Sequence, residues 1–226
     1  MRTLILACRT IADELNLARR EAGCDLPVSW VESGLHNWPD RLRTRLQQAL
    51  DEVTDADRVL LAFGYCGNSV VGLTAGAYEL IVPRVDDCIS LLLGSCARRE
   101  EVTAEKTTYF LTPGYLEHES NIWSEYQRFA ARRGKESADS VYAILLKHYR
   151  RLGIIDTGSF DVDRFVERTL PVAATFGLEH QVIPGTTQYL RHLLTGPWDE
   201  GFIRIGPRET LTFDHVYGPS DAKRSG

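Results

Sequence analysis

The chain has 226 residues, of which 43% are hydrophobic and 25% charged, and its 26 Lys+Arg and 31 Asp+Glu residues give a formal net charge of -5. This composition is typical of a globular protein with a packed core, and it excludes a disordered or fibrous chain. An acidic chain with no long Lys/Arg run lacks the positive surface that binds nucleic acid, so we expect no nucleic-acid partner. No apolar run approaches the ~18–20 residues of a membrane span, so we expect no membrane partner either.

The N-terminus and the cysteines bear on the compartment. The first apolar run covers only Leu4 to Cys8 and polar residues follow at once, a pattern that does not fit a signal peptide. The five cysteines are an odd number in a chain large enough to fold without disulfides, which favours free thiols in a reducing environment. We therefore expect a cytoplasmic location, and the thiols raise metal binding or thiol chemistry as hypotheses.

Short apolar runs alternate with helical patterns through the first half of the chain. The predicted elements are a strand from Thr3 to Cys8, a helix ended by Gly23, a strand from Val28 to Glu32, a helix opened by Pro39, a strand from Arg58 to Phe63, a short helix from Val70 to Ala77, a strand from Glu79 to Arg84, a helix from the cap Asp87 to Leu93, and a strand from Thr107 to Thr112. Continuous apolar strands alternating with helices indicate an α/β fold with a mostly parallel, Rossmann-like sheet covered by helices on both faces.

The second half predicts a helical region followed by a smaller α/β unit. The predicted elements are helices from Glu119 to Arg150 with a break at Gly134-Lys135, a strand from Gly153 to Asp156, a helix from Asp161 to Phe176, a strand from His180 to Ile183, a helix from Thr187 to Leu194, and a strand from Phe202 to Ile205. The predicted organisation is an N-terminal lobe over residues 1–118, a helical connection over 119–150, a smaller lobe over 151–217 and a disordered tail over 218–226.

Three cysteines lie where predicted strands end. In open α/β sheets the ligand crevice lies beyond the carboxyl ends of the strands, and Cys8, Cys66 and Cys88 all fall at that edge. Cys8 and Cys88 each precede a predicted helix, whose N-terminal amides are expected to lower the thiol pKa. If the three thiolates converge, they form a zinc or iron site, with His36 as fourth ligand or general base. The alternative is that the cysteines are small core residues.

A glycine-rich corner follows the third strand. It contains Gly64, Gly67 and Asn68, but neither G-x-G-x-x-G nor G-K-[ST] follows any strand, so we expect no NAD or ATP site. These three residues are candidates for cofactor binding, because glycines let the backbone approach a ligand and aim its amides at an anion. The alternative is a tight turn that needs glycine for packing.

A second polar segment, Pro83 to Cys88, follows the fourth strand. Arg84 is a candidate anchor for a substrate carboxylate, and Asp86 is a candidate for orienting Arg84 or a ligand histidine. Asp87 fits a helix cap. An intramolecular salt bridge is the alternative for Arg84.

Four sequence blocks carry a family resemblance. The blocks are LILACRTIADEL, FGYCGNSVVGL, IVPRVDDCISLLLGS and YFLTPGYL, and with them the chain from Thr3 to about Tyr217 resembles the family known as domain of unknown function 1638. The resemblance implies no reaction. Members are often encoded near corrinoid proteins and methyltransferases. The resemblance therefore implies a role in one-carbon metabolism by association.

These observations lead to one main hypothesis and two alternatives. The main hypothesis is a cysteine-ligated, zinc-like metal protein that acts on a small methylated or one-carbon metabolite, with methyl transfer in a corrinoid-linked pathway. Its expected partners are a small-molecule substrate and a corrinoid protein or methyltransferase. The alternatives are a non-catalytic accessory protein that binds a small metabolite, metal or corrinoid, and a metal-free enzyme in which Cys8 or Cys66 is the nucleophile and His36 the base.

Overall fold

The computed structural model describes residues 1–117 and 121–218, in which eight β-strands form two separate sheets. The strands are β1 (Thr3–Cys8), β2 (Val28–Val31), β3 (Arg58–Ala62), β4 (Glu79–Pro83), β5 (Thr108–Leu111), β6 (Arg151–Asp156), β7 (Glu179–Pro184) and β8 (Phe202–Ile205). The helices are α1 (Ala12–Glu21), α2 (Pro39–Asp51), α3 (Cys88–Leu93), α4 (Cys96–Glu105), α5 (Pro113–Leu116), α6 (Ile122–Arg133), α7 (Lys135–Leu145), α8 (Val162–Phe176), α9 (Gln188–Thr195) and α10 (Phe213–Tyr217).

The first sheet has five strands in the order β2-β1-β3-β4-β8, and the second has three in the order β5-β6-β7. Every pairing is parallel except that of β8, which runs antiparallel to β4. The strands β3 and β6 are almost fully buried along their length, as continuous apolar runs in covered parallel sheets require. The predicted α/β class and mostly parallel sheet are therefore confirmed.

The strand order reverses beside β1. The chain passes from β1 to β2 on one side and then crosses to β3 on the other side of β1. At such a reversal the connections leave the sheet in opposite directions, which opens a crevice beyond the carboxyl ends of the two central strands. The crevice in this sheet lies beyond the ends of β1 and β3.

The two sheets do not correspond to two consecutive parts of the chain. The strand β5, which chain order groups with the first four strands, pairs with β6, and the last strand β8 returns to pair with β4. The lobe boundaries at 118 and 150 remain predictions, and residues 118–120 lie outside the described residues. Gly218 caps α10, and the rest of the predicted tail, residues 219–226, also lies outside them.

One predicted helix is wrong and three helices were not predicted. Residues 70–77 form a turn and an extended stretch with an isolated β-bridge from Thr74 to Thr210, because Gly72 takes a left-handed conformation and the segment pairs with residues 208–211, for example through the Gly72 N–H and the Leu211 carbonyl at 2.7 Å. The unpredicted helices are α4, α5 and α10. The break between α6 and α7 at Gly134 and the cap of α3 at Asp87 are as predicted.

The largest apolar core surrounds the first sheet and extends into the second. It includes Leu190 and Leu193 from α9, and it also includes Ile155 from β6 and Ile183 from β7. Smaller clusters lie under α8 and between α6 and α7. No helix of the described residues has the length and apolar character that crossing a membrane requires.

Candidate functional site

Three cysteines from three separate segments meet at the crevice beyond β1 and β3. Cys8 is the last residue of β1, Cys66 follows β3 by four residues, and Cys88 is the first residue of α3. All three are buried, and the Cys88 thiol interacts with the thiols of both Cys8 and Cys66. The predicted cluster of these side chains is therefore present in space, although each is distant from the others in sequence.

The corner after β3 brings Cys66 to this point. The Tyr65 N–H donates to the Val85 carbonyl at 2.9 Å and the Cys66 N–H donates to the Asp86 carbonyl at 2.7 Å, so the corner is bonded to the loop after β4. A Cβ atom on Gly64 would lie 2.4 Å from the Cα atom of Asp87, a distance that only glycine permits. Gly64 thus allows the close approach of the loops that carry Cys66 and Cys88.

Asp87 fixes the start of α3 and so the position of Cys88. Its carboxylate accepts a hydrogen bond from the Ser90 N–H at 2.9 Å, as an N-cap residue does. The same side chain forms an ion pair with Arg99 of α4 at 2.8 Å. The cap places Cys88 in the buried wall of the crevice, beside the ends of β1 and β3.

The pKa values of Cys8 and Cys88 are raised, whereas the sequence predicts that helix N-termini lower them. The hydrogen bond with Cys88, together with burial, raises the pKa of Cys8 well above its usual value. The hydrogen bond with Cys66 and burial likewise raise the pKa of Cys88. The predicted lowering by helix N-termini is wrong because Cys8 precedes a 3-10 turn of three residues and α3 has only six, and burial beside other thiols outweighs such short elements. Both groups are protonated thiols near neutral pH.

The thiols open into a cavity of about 380 Å³. This volume lies within the range of ~300–1,000 Å³ that is usual for small-molecule sites. Its remaining wall is largely apolar and includes Leu35, Leu42, Phe63 and Ile89. The cavity therefore combines three sulfur atoms with a largely apolar wall.

His36 and Tyr115 close one side of the cavity. Both line it, and their rings meet edge to face with centroids 5.9 Å apart. Burial raises the pKa of the Tyr115 hydroxyl well above its usual value, and the neighbouring charges of the three thiols and Asp87 act in the same direction. Tyr115 lies on α5, where Gly114 packs against the Thr10 carbonyl. Tyr115 has no role in the sequence prediction, because only this contact between distant segments places it at the thiols.

The charged side chains in the cavity wall are mainly acidic. They are Glu32, Asp86, Asp87 and one guanidinium, Arg99, besides the imidazole of His36. The carboxylate of Glu32 pairs with Arg45 at 3.1 Å, and that of Asp87 pairs with Arg99. Asp86 is exposed, and its carboxylate is in no ion pair within the part of the chain that the structure describes.

Three of the predicted site residues have other roles here. Arg84 donates to the main-chain carbonyls of His215 at 2.8 Å and Val216 at 3.1 Å, and it does not line the cavity. The Asn68 side chain accepts a hydrogen bond from the Tyr217 hydroxyl and also lies outside the cavity wall. Gly67 does line the cavity, whereas Gly64 serves the packing of the corner.

The metal-binding geometry is not pre-formed. Within residues 1–117 and 121–218, no group of three or more His, Cys, Asp or Glu side chains is arranged to hold a metal ion as the structure stands. Thiolate sulfur is nevertheless the donor that zinc, copper(I) and iron–sulfur centres prefer. The donor set fits such a metal in kind, while its arrangement requires the thiol side chains to turn toward a common point.

The chain was compared with known families, curated proteins and solved structures. Residues 30–194, well over half of the chain, match the model of the family described as protein of unknown function (DUF1638). The chain belongs to this family. No curated protein and no solved structure matches it. The DUF1638 match includes His36, Cys66 and Cys88, whereas Cys8 precedes the matched range.

Proposed function

We propose that this DUF1638 protein binds a thiophilic metal ion, zinc or iron, through Cys8, Cys66 and Cys88 and acts there on a small methylated or one-carbon metabolite. The observation that carries the proposal is the meeting of three thiols from three chain segments inside one cavity. The meeting point lies beyond the carboxyl ends of β1 and β3, where open α/β sheets bind their ligands, which favours a functional role over packing alone.

The chemistry of the site follows from its parts. Cys8, Cys66 and Cys88 would hold the ion, which would supply a Lewis acid for a substrate heteroatom and for the anion that serves as nucleophile or leaving group in methyl transfer. His36 lines the same cavity and supplies the fourth ligand or the general base. Tyr115 and the apolar side chains of the wall would limit the water that reaches the reacting groups, which favours group transfer over hydrolysis.

Metal binding is expected to release protons from this site. The thiols of Cys8 and Cys88 are protonated in the structure, and only thiolates bind the metal. Apparent metal affinity therefore increases with pH, and the side chains rotate about their Cα–Cβ bonds to face the ion.

A second candidate is a metal-free protein that binds a small metabolite as an accessory to the same pathway. It is favoured by the absence of a pre-formed metal geometry among the described residues. In the third hypothesis, a thiol nucleophile, the raised pKa of Cys8 argues against Cys8 as the attacking residue, because the thiolate is the attacking form, and leaves Cys66 as the candidate. Turnover of excess substrate distinguishes an enzyme from a binder, which saturates at one equivalent.

Elemental analysis tests the proposal directly. Protein purified without oxygen is compared with Cys66→Ser and with Cys24→Ser, a matched control at a cysteine that does not line the cavity. We expect about one equivalent of zinc or iron in the parent and the control and its loss in Cys66→Ser. Cobalt(II) substitution adds a spectroscopic check, since a thiolate-to-cobalt charge-transfer band that weakens in Cys66→Ser identifies the ligand.

The proposal is contradicted by protein that remains metal-free after incubation with zinc under reducing conditions. It is equally contradicted by a metal content that Cys66→Ser leaves unchanged while far-UV circular dichroism shows an intact fold. Either result would favour the second candidate, a metal-free accessory protein that binds a small metabolite.

A further inference from the structure

We propose that the thiol cavity selects a small organic cation and discriminates against anions. The inference rests on the proposed function only in taking this cavity as the substrate site, and it does not depend on the metal. The sequence had indicated the opposite preference, with Arg84 as anchor for a substrate carboxylate.

Arg84, the expected anchor for a substrate anion, is not in the cavity wall. Arg84 is held by the main-chain carbonyls of His215 and Val216 and does not line the cavity. The guanidinium of Arg9, next to Cys8 in sequence, lies over the ring of Trp30 at 5.8 Å and is not part of the cavity wall. A carboxylate or phosphate on the substrate therefore meets neither of these guanidinium groups.

The mouth of the cavity instead carries an uncompensated negative charge. Arg45 pairs with Glu32 and Arg99 pairs with Asp87, so each of these carboxylates is balanced. Asp86 is exposed on the cavity wall with no ion pair among the described residues. An entering cation gains the attraction of this carboxylate, while an anion is repelled by it.

The interior of the cavity suits a cation whose charged atom carries apolar groups. Tyr115, which is partly exposed, presents aromatic surface there, and aromatic faces attract cations through the ring quadrupole. The aliphatic side chains of Leu35 and Ile89 in the same wall bury alkyl substituents. A strongly hydrated inorganic cation gains much less from such a lining.

Loading of the site with zinc does not reverse this preference. A cysteine side chain is either a neutral thiol or a negative thiolate, and three thiolates around a divalent ion carry a formal charge of about minus one. The field inside the cavity is thus neutral or negative in both states, which separates the charge preference from the question of metal binding.

The test uses three probes of nearly equal shape and different charge. They are choline, its neutral carbon analogue 3,3-dimethylbutan-1-ol, and the anion 3,3-dimethylbutanoate, titrated by calorimetry into chelator-treated and zinc-loaded full-length protein. We expect choline to bind more tightly than the alcohol by roughly three- to tenfold, and the anion to bind most weakly. In Asp86→Asn, choline affinity falls roughly three- to tenfold while affinity for the alcohol is unchanged.

Asp163→Asn is the matched control, because Asp163 is exposed on α8 and does not line the cavity. It leaves all three affinities unchanged. The proposal is overturned if the alcohol or the anion binds as tightly as choline, if Asp86→Asn preserves the preference for choline, or if choline does not bind at millimolar concentration. Failure of zinc to bind, with the preference for choline intact, contradicts the proposed metal function and leaves this inference standing.

Discussion

The helix α1 carries a carboxyl group, that of Glu14, in an apolar environment that disfavours its ionised form. Glu14 is 1% exposed, and its Oε1 atom has no hydrogen-bond partner among the described residues. Burial raises the pKa of this carboxyl from 4.5 to about 7, and the neighbouring charge of Asp13 acts in the same direction. A helix position that buries a carboxyl without pairing it costs free energy whenever the group is ionised.

Glu14→Gln is predicted to stabilise the protein at pH 8 and to have little effect near pH 4. The folded state holds the proton of Glu14 up to about pH 7, whereas the unfolded state loses it near pH 4.5, so ionisation lowers stability as the pH rises between these values. The full penalty is about 3 kcal/mol at pH 8, and the amide removes it. Urea unfolding at the two pH values measures the difference.

The control for this experiment is Glu136→Gln, an exposed side chain on α7. It should change the free energy of unfolding by less than about 0.5 kcal/mol at both pH values. An equal effect of Glu14→Gln at pH 4 and pH 8 would show that the carboxyl is not held protonated by burial.

At the scale of elements, the site depends on the contact between two loops. The corner after β3 carries Cys66 and the start of α3 carries Cys88, and Gly64 lies where the two segments touch. The thiol cluster is thus held by main-chain hydrogen bonds between the loops more than by the side chains themselves.

Gly64→Ala is predicted to destabilise the protein by about 1–3 kcal/mol and to abolish metal binding. The added methyl group would lie 2.4 Å from main-chain atoms of Asp87, so the two loops must separate. Gly201→Ala is the control, since its Cβ atom would meet the Tyr189 hydroxyl at an ordinary 3.4 Å. Thermal unfolding and zinc content measure both effects, and a Gly64→Ala variant with parental zinc content would contradict this account.

Local sequence patterns explain most elements, and distant contacts explain the exceptions. The strand β1 and the cap at Asp87 follow from apolar runs and capping chemistry, which act within a few residues. Residues 70–77 looked helical, yet they form a turn and an extended stretch because residues 208–211 supply their hydrogen bonds. The return of β8 to β4 has no local signal either.

The residues of the candidate site were likewise predictable where they follow from nearby sequence and not where they depend on contacts between distant segments. Cys8, Cys66 and Cys88 were predicted together because the carboxyl ends of parallel strands share one edge. Tyr115 was missed because its place depends on the packing of α5 against the 3-10 turn at Arg9–Ile11. The pKa values of Cys8 and Cys88 were predicted in the wrong direction because their burial is a tertiary property.

At the scale of the whole molecule, the chain passes from the first sheet to the second and then returns. The helix α9 and the strand β8 follow β7 in sequence but belong to the core around the first sheet. That core also contains Ile155 and Ile183 from the second sheet. Neither sheet can lose its packing without exposing apolar surface on the other, so we expect one cooperative unfolding transition.

Leu193→Ala tests this coupling. Leu193 on α9 is fully buried, so its truncation should lower the free energy of unfolding by about 2–5 kcal/mol. Because the sheets share a core, hydrogen exchange should speed up in peptides from β3 and from β6 alike, and guanidinium unfolding should remain a single transition. The control Leu170→Ala, on α8 and 49% exposed, should change stability by less than about 0.5 kcal/mol. Two separate transitions, or faster exchange confined to the first sheet, would mean that the sheets unfold independently and that the return of α9 and β8 does not couple them.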